Sequence, residues 1–147
     1  MAAPTYTWEW ITNIYGFGPP VIQTLEATTD LETKVGTLVI MSSGQVDEAT
    51  ASVASICGLA AEATSAAATA ADPIRVYILR PGDVIKGTAD ADASALSGFS
   101  GKKADLNTNG SLDVADSTNG CLSVLRTEDS GLTVYCVPTE FDHGCVN

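Results

Sequence analysis

Three observations in the sequence predict a mainly β fold, a small β-barrel or β-sandwich with at most one short helix. First, residues 74–79 alternate Ile74, Val76 and Ile78 against Arg75, Tyr77 and Leu79, and side chains along a strand change face at every residue. Second, apolar segments rich in β-branched residues are divided by short turn-forming clusters such as Ser42-Ser43-Gly44 and Asn107-Thr108-Asn109-Gly110. Third, the chain repeats itself. A shift of 66 residues places Gly44 on Gly110, Val46 on Leu112, Asp47 on Asp113, Ala49 on Ala115 and Ile56 on Leu122. A deletion then brings Arg75-Val76-Tyr77 onto Thr133-Val134-Tyr135. Two similar units, about residues 35–80 and 101–138, predict one core made from two halves.

The elements follow in order. Residues 1–33 hold five of the nine aromatics, Tyr6, Trp8, Trp10, Tyr15 and Phe17. Residues 5–10 (TYTWEW) read as an extended strand with Tyr6, Trp8 and Trp10 on one face. Gly16-Phe17-Gly18-Pro19-Pro20 is a turn or linker, and residues 21–25 a further strand. This segment reads either as an N-terminal strand completing the core or as an arm whose aromatic anchors reach a neighbouring subunit. The division adopted is an arm over residues 1–33 and a single β domain over 34–147.

In the first unit, strands are expected at 36–41, near Val46, at 55–60 and at 74–79. The Ala-rich stretch 49–71 is read as mostly non-helical, since Thr, Ser and Val are poor helix formers, Gly58 interrupts and no 3.6-residue apolar stripe emerges. One short helix within 62–71 fits the composition. Arg80-Pro81-Gly82-Asp83 is a turn signature, Val84-Ile85 a short strand, and residues 89–96 fit one helical turn capped by Asp90 or Asp92. In the second unit, 104–106 and 111–114 flank the Asn-Gly turn, and strands are expected at 121–126 and 132–137 around a turn at 128–131. The tail after Pro138 is polar.

Composition excludes several function classes. A chain of 147 residues with a net charge of −11 has only seven Lys and Arg, so direct binding to nucleic acid or to an anionic membrane is not expected. No apolar run reaches membrane-spanning length. The N-terminus lacks the basic and apolar regions of a secretory signal. Cys57, Cys121 and Cys136 sit in apolar strand segments and read as buried small hydrophobes, with Cys145 near the C-terminus, and no disulfide is assigned. The sole histidine, His143, lies in the polar tail, and the sequence has no GxSxG, P-loop or GxGxxG, so no enzyme is predicted and no cofactor is implied.

One motif has metal-ligand spacing. Asp105, Asn107, Asn109, Asp113 and Asp116, with Gly110 at the sixth position, match the oxygen pattern of a calcium loop. Position twelve is Asp rather than the usual Glu, the flanks read as strands, and the equivalent turn of the first unit has Val39, Met41, Ser43 and Thr50 at ligand positions. A hairpin turn is therefore the favoured reading. The alternative is a calcium-dependent extracellular binding or adhesion module.

Val35-Gly36-x-Leu38-Val39, then Ser43-Gly44-x-Val46, then Ile56-x-Gly58-Leu59-Ala60 and Ile74-x-Val76-x-Ile78 together resemble the capsid cement, or head-decoration, proteins of tailed bacteriophages. The resemblance covers about a third of the chain directly and another third through the repeat. It implies a β-tulip-like structural virion protein on the outer capsid surface, assembled in the bacterial cytoplasm. Such a protein, as a homotrimer, would bridge neighbouring major capsid protein subunits and stabilise the expanded head. Tyr6, Trp8, Trp10, Tyr15 and Phe17 would then be the capsid or subunit contacts.

Overall fold

The computed structural model describes residues 3–49, 55–65, 72–98, 102–116 and 120–139. Strands β1 (Glu9–Asn13) and β2 (Ile22–Glu26) precede β3 (Leu38–Ser42), β4 (Gln45–Glu48), β5 (Gly58–Ala60) and β6 (Pro73–Ile78). After them come β7 (Asp83–Thr88), β8 (Asp105–Leu106), β9 (Leu112–Asp113), β10 (Leu122–Glu128) and β11 (Thr133–Pro138). One sheet runs β2-β6-β5-β3-β4 and another β1-β7-β11-β10, while β8-β9 forms a separate hairpin. The fold is mainly β, as the sequence predicts. Among the described residues the sheets do not close into a barrel, and their arrangement is that of a small sandwich.

Period-two alternation explains the layering. Leu38 and Leu59 face a large core shared with Ile85, Leu112, Leu122, Val124 and Val134. Their neighbours Val39 and Ala60 point the other way, into a smaller core with Ala27, Leu31, Val46, Ile74 and Val76. The inner strands β3 and β5 are thus apolar on both faces, which is why they read as nearly continuous apolar runs. Each fully buried Val, Leu or Ile here contributes about 1.5–3 kcal/mol relative to exposure. The β3–β4 hairpin turns at Ser43 (φ 51°) and Gly44 (φ 82°), both left-handed, the conformation that a two-residue hairpin loop requires.

The repeat appears as shared connectivity. In the first unit β6 pairs with β5, β5 with β3, and β3 with β4. In the second, β11 pairs with β10, an antiparallel bridge joins Leu122 to Ala104, and the β8–β9 hairpin follows. β2 lies beside β6 as β7 lies beside β11, so in the fold β2 joins the first unit and β7 the second. A single parallel bridge then ties the far end of each unit: Ala27 to Val46 in the first, Ala89 to Leu112 in the second. The turns differ in register. Ile40 pairs with Asp47, but Leu106 pairs with Leu112 rather than with Asp113.

Several expectations need correction. Within the predicted arm, residues 3–33 do not stand apart from the core: β1 pairs with β7 and β2 with β6, so this segment supplies an outer strand to each large sheet. The aromatic strand runs 9–13 rather than 5–10, because the chain at Trp8 leaves the ladder to donate its N–H to the Gly36 carbonyl. In the Ala-rich stretch, residues 62–65 are not helical, and Thr64 instead bridges Thr33; residues 66–71 lie outside the described residues. The predicted turn near residue 90 is a short 3-10 turn, Ser94–Leu96, with Asp92 Oδ1 accepting the Ser94 N–H at 2.9 Å. Asp90 does not cap it and clamps the β8–β9 hairpin instead.

Candidate functional site

The loop between β1 and β2 stands on a buried brace. The Arg80-Pro81-Gly82-Asp83 turn brings the Asp83 carboxylate, fully removed from solvent, beneath β1. Asp83 Oδ1 accepts from Trp10 Nε1 at 2.9 Å, Asn13 Nδ2 at 3.0 Å and Arg80 Nη2 at 2.9 Å. Oδ2 accepts from the Arg80 backbone N–H at 2.7 Å and Nε at 3.1 Å. Burial pushes the Asp83 carboxyl up, but these donors together outweigh it and hold it below the ordinary carboxylate range. Arg80 reaches on to the Gly18 carbonyl, and Asn13 Oδ1 accepts the Tyr15 N–H at 2.8 Å. The start of the loop is therefore held by Asp83 through Asn13, and its middle by Arg80, which Asp83 itself holds.

What the brace presents is apolar. Tyr15 is 66% exposed, Phe17 58%, Val21 61% and Ile22 47%, with Ile11 and Ile14 beside them. The Arg80 guanidinium lies 5.7 Å from the Phe17 ring centroid. Tyr15 leans over Gly82, where a Cβ would stand 2.6 Å from its ring. Residues 10–25 contain no charged side chain, the longest such run in a chain of net charge −11. Six exposed apolar side chains on one uncharged segment make it the candidate interaction surface. A cleft of about 260 Å³ is lined by Trp10, Pro19 and Pro20 together with Val35, Leu59 and Tyr77.

The five predicted contact aromatics separate into two groups. Tyr15 and Phe17 project, and Tyr6 is 39% exposed. Trp8 is not available as a surface anchor. It is 3% exposed, with its Nε1 donating to the Gly110 carbonyl at 2.8 Å and its ring lying against Gly87, where a Cβ would come within 2.4 Å. Gly36 belongs to the first unit, Gly87 and Gly110 to the second, so Trp8 pins the two units together. Trp10 is half-buried and committed to Asp83. The sequence reading missed Ile14, Val21 and Ile22 on the surface and Asn13, Arg80 and Asp83 beneath it. The uncharged run between Glu9 and Glu26 was the available signal.

The calcium-loop residues form a hairpin whose polar side chains serve its own turns. Asn109 Oδ1 accepts from the Ser111 N–H and Oγ, at 3.1 and 2.7 Å. Asn107 Nδ2 donates to Asp90 Oδ2 and Ser111 Oγ. Asp113 Oδ1 accepts the Ala115 and Asp116 N–H groups, and Asp105 Oδ1, on a buried residue, accepts the Leu106 N–H. The bonds from the Ser111 N–H to Asn109 and from the Ala115 N–H to Asp113 are Asx turns. Among the described residues no group of three His, Cys, Asp or Glu side chains is placed to hold a metal ion. Cys57, Cys121 and Cys136 are buried, and burial pushes the Cys121 thiol up to about 12, far from a reactive thiolate at neutral pH. His143 and Cys145 lie outside the described residues.

No protein-family model matches this chain, and no curated protein or solved structure matches it either.

Proposed function

We propose that this chain is a structural virion protein that binds the outer surface of a tailed-phage capsid and cements neighbouring major capsid protein subunits, stabilising the expanded head. The observation that carries the reading is the braced, uncharged loop between β1 and β2. A mechanical clamp needs a rigid apolar projection on an otherwise charged, self-repelling surface, and Tyr15, Phe17 and Val21 on the Asp83 brace have that form. The sequence resemblance of residues 35–78 to head-decoration proteins supports it independently. Multiple weak contacts multiplied over a symmetric shell give the affinity, with copies grouped as a trimer around a symmetry axis. The reading involves no reaction, cofactor or nucleic acid.

The test is co-sedimentation with expanded capsids that lack this protein. Wild type saturates at a symmetry-related stoichiometry, and the double variant Tyr15→Ser, Phe17→Ser stays in the supernatant while keeping its melting temperature. Failure of wild type to co-sediment contradicts the reading. Undiminished binding of the double variant removes the loop from it.

A further inference from the structure

The two units differ in one place on their outer edges. β7 and β2 are equivalent: each flanks the long strand of its unit and ends in an alanine bridged to the far hairpin, Ala89 to Leu112 and Ala27 to Val46. Along β7, the N–H and C=O groups that point away from β11 are taken by β1, with Thr12 opposite Val84 and Glu9 opposite Lys86. Along β2, the bonds of Val21 to Ile78 and of Ala27 to Asp72 fix the phase of the ladder with β6. Antiparallel alternation then turns the backbone groups of Ile22 and Thr24 outward. No strand pairs with that side of residues 21–24 among the described residues.

An open strand edge is normally guarded by charge, a bulge or proline. β1 and β10 each carry a bulge, at Trp10/Thr12 and Val124/Arg126, and β4 carries Asp47 and Glu48. β2 pairs with β6 in unbroken register and has no charge before Glu26. Its exposed residues before Glu26, namely Ile22, Gln23 and Thr24, are two β-branched side chains about one neutral amide.

We infer that the open edge of β2 is an interface between two copies of this chain, paired antiparallel about a two-fold axis at Gln23. That register sets Ile22 opposite Thr24 of the second copy, and Thr24 opposite its Ile22, so the outward backbone groups of both residues are satisfied. At the axis Gln23 meets itself, and an amide, being donor and acceptor at once, is self-complementary where any charged residue would repel its image. The contact falls within the uncharged residues 10–25. This is where two molecules of charge −11 approach with least repulsion, and the exposed Val21 side chain adds apolar area beside it. The inference does not rest on the capsid reading: the trimer proposed there is grouped by the shell on which the copies sit, whereas this pairing forms between free copies in solution.

Sedimentation equilibrium of the full-length protein tests it, from about 1 to about 500 µM, at about 0.15 M and about 0.5 M salt. Wild type forms a concentration-dependent dimer that tightens at the higher salt, as repulsion between acidic copies is screened. Thr24→Pro removes one outward N–H and leaves the β6 ladder intact. Gln23→Glu places two carboxylates at the axis. Each weakens dimerisation at least about tenfold, while Thr24→Val does not. If Thr24→Pro lowers the melting temperature, Gln23→Glu alone carries the test. A wild type that stays monomeric, an oligomer other than a dimer, or association unchanged in Gln23→Glu overturns the inference.

Discussion

The two β units share their strand order but not the treatment of their outer strands. The second unit has β7 sealed by β1, with Trp8 pressed onto Gly87 and Asp83 holding Trp10 and Asn13. The first unit leaves β2 open and exposes Val21 and Ile22. The difference shows how two units of like strand order take distinct roles from a single added strand. The sealed edge anchors the N-terminal segment, and the anchor turns the following loop outward.

The comparison can be broken at its strongest point first. Trp8→Ala removes the ring that joins the units and leaves the Gly110 carbonyl without its donor. A loss of about 3–5 kcal/mol in urea unfolding is expected, against the ordinary range for a surface aromatic if Trp8 were peripheral. Asp83→Asn comes next. It removes the charge on which three side chains converge, and a loss of about 2–3 kcal/mol is expected, with faster proteolysis in the loop at residues 14–21.

The two units also carry carboxylates shifted in opposite directions. The folded-state pKa of Asp83 lies below its ordinary value of 3.8, so the unfolded chain binds the proton more readily. The stability Asp83 gives is full above that value and lost as pH falls through the lower folded one. In Asp83→Asn this part of the acid limb disappears. Glu48 in β4 is raised above its ordinary 4.5 by burial and by Asp47. Its penalty therefore develops as pH rises through the raised value, and stability is regained as pH falls back toward 4.5. Glu48→Gln is expected to raise stability at pH 7, by within about 1 kcal/mol, and to flatten that window in a pH series of melting temperatures. The smallest effect expected is none: excess chelator leaves the melting temperature unchanged, because the side chains of the 105–116 hairpin already serve its own turns. A chelator-dependent fall in melting temperature would return the calcium reading to consideration.

Much of the fold was legible. β3, β4 and β6 lie where β-branched residues, the Ser-Gly turn and the alternation at 74–79 placed them. The repeat was legible as residue matches but not as register, because the five residues 107–111 span a turn that Ser43-Gly44 completes in two. The site was only half legible. Alternation in TYTWEW set Tyr6, Trp8 and Trp10 on a common face, yet their fates are decided elsewhere, by the bare backbones of Gly87 and Gly36 and by the carboxylate of Asp83. A glycine marks room for a neighbour without naming it. The turn signature at 80–83 likewise announced a turn, and gave no hint that its aspartate would be capped by residues some seventy positions earlier.

Residue-resolved amide hydrogen exchange on dilute protein tests the contrast between the two edges most directly. The account predicts strong protection at Val84 and Lys86, which β1 covers, and rapid exchange at their counterparts Ile22 and Thr24, with Gln23 and Leu25 between and beyond them protected by β6. Equal protection at all four outward amides in the monomer would contradict it.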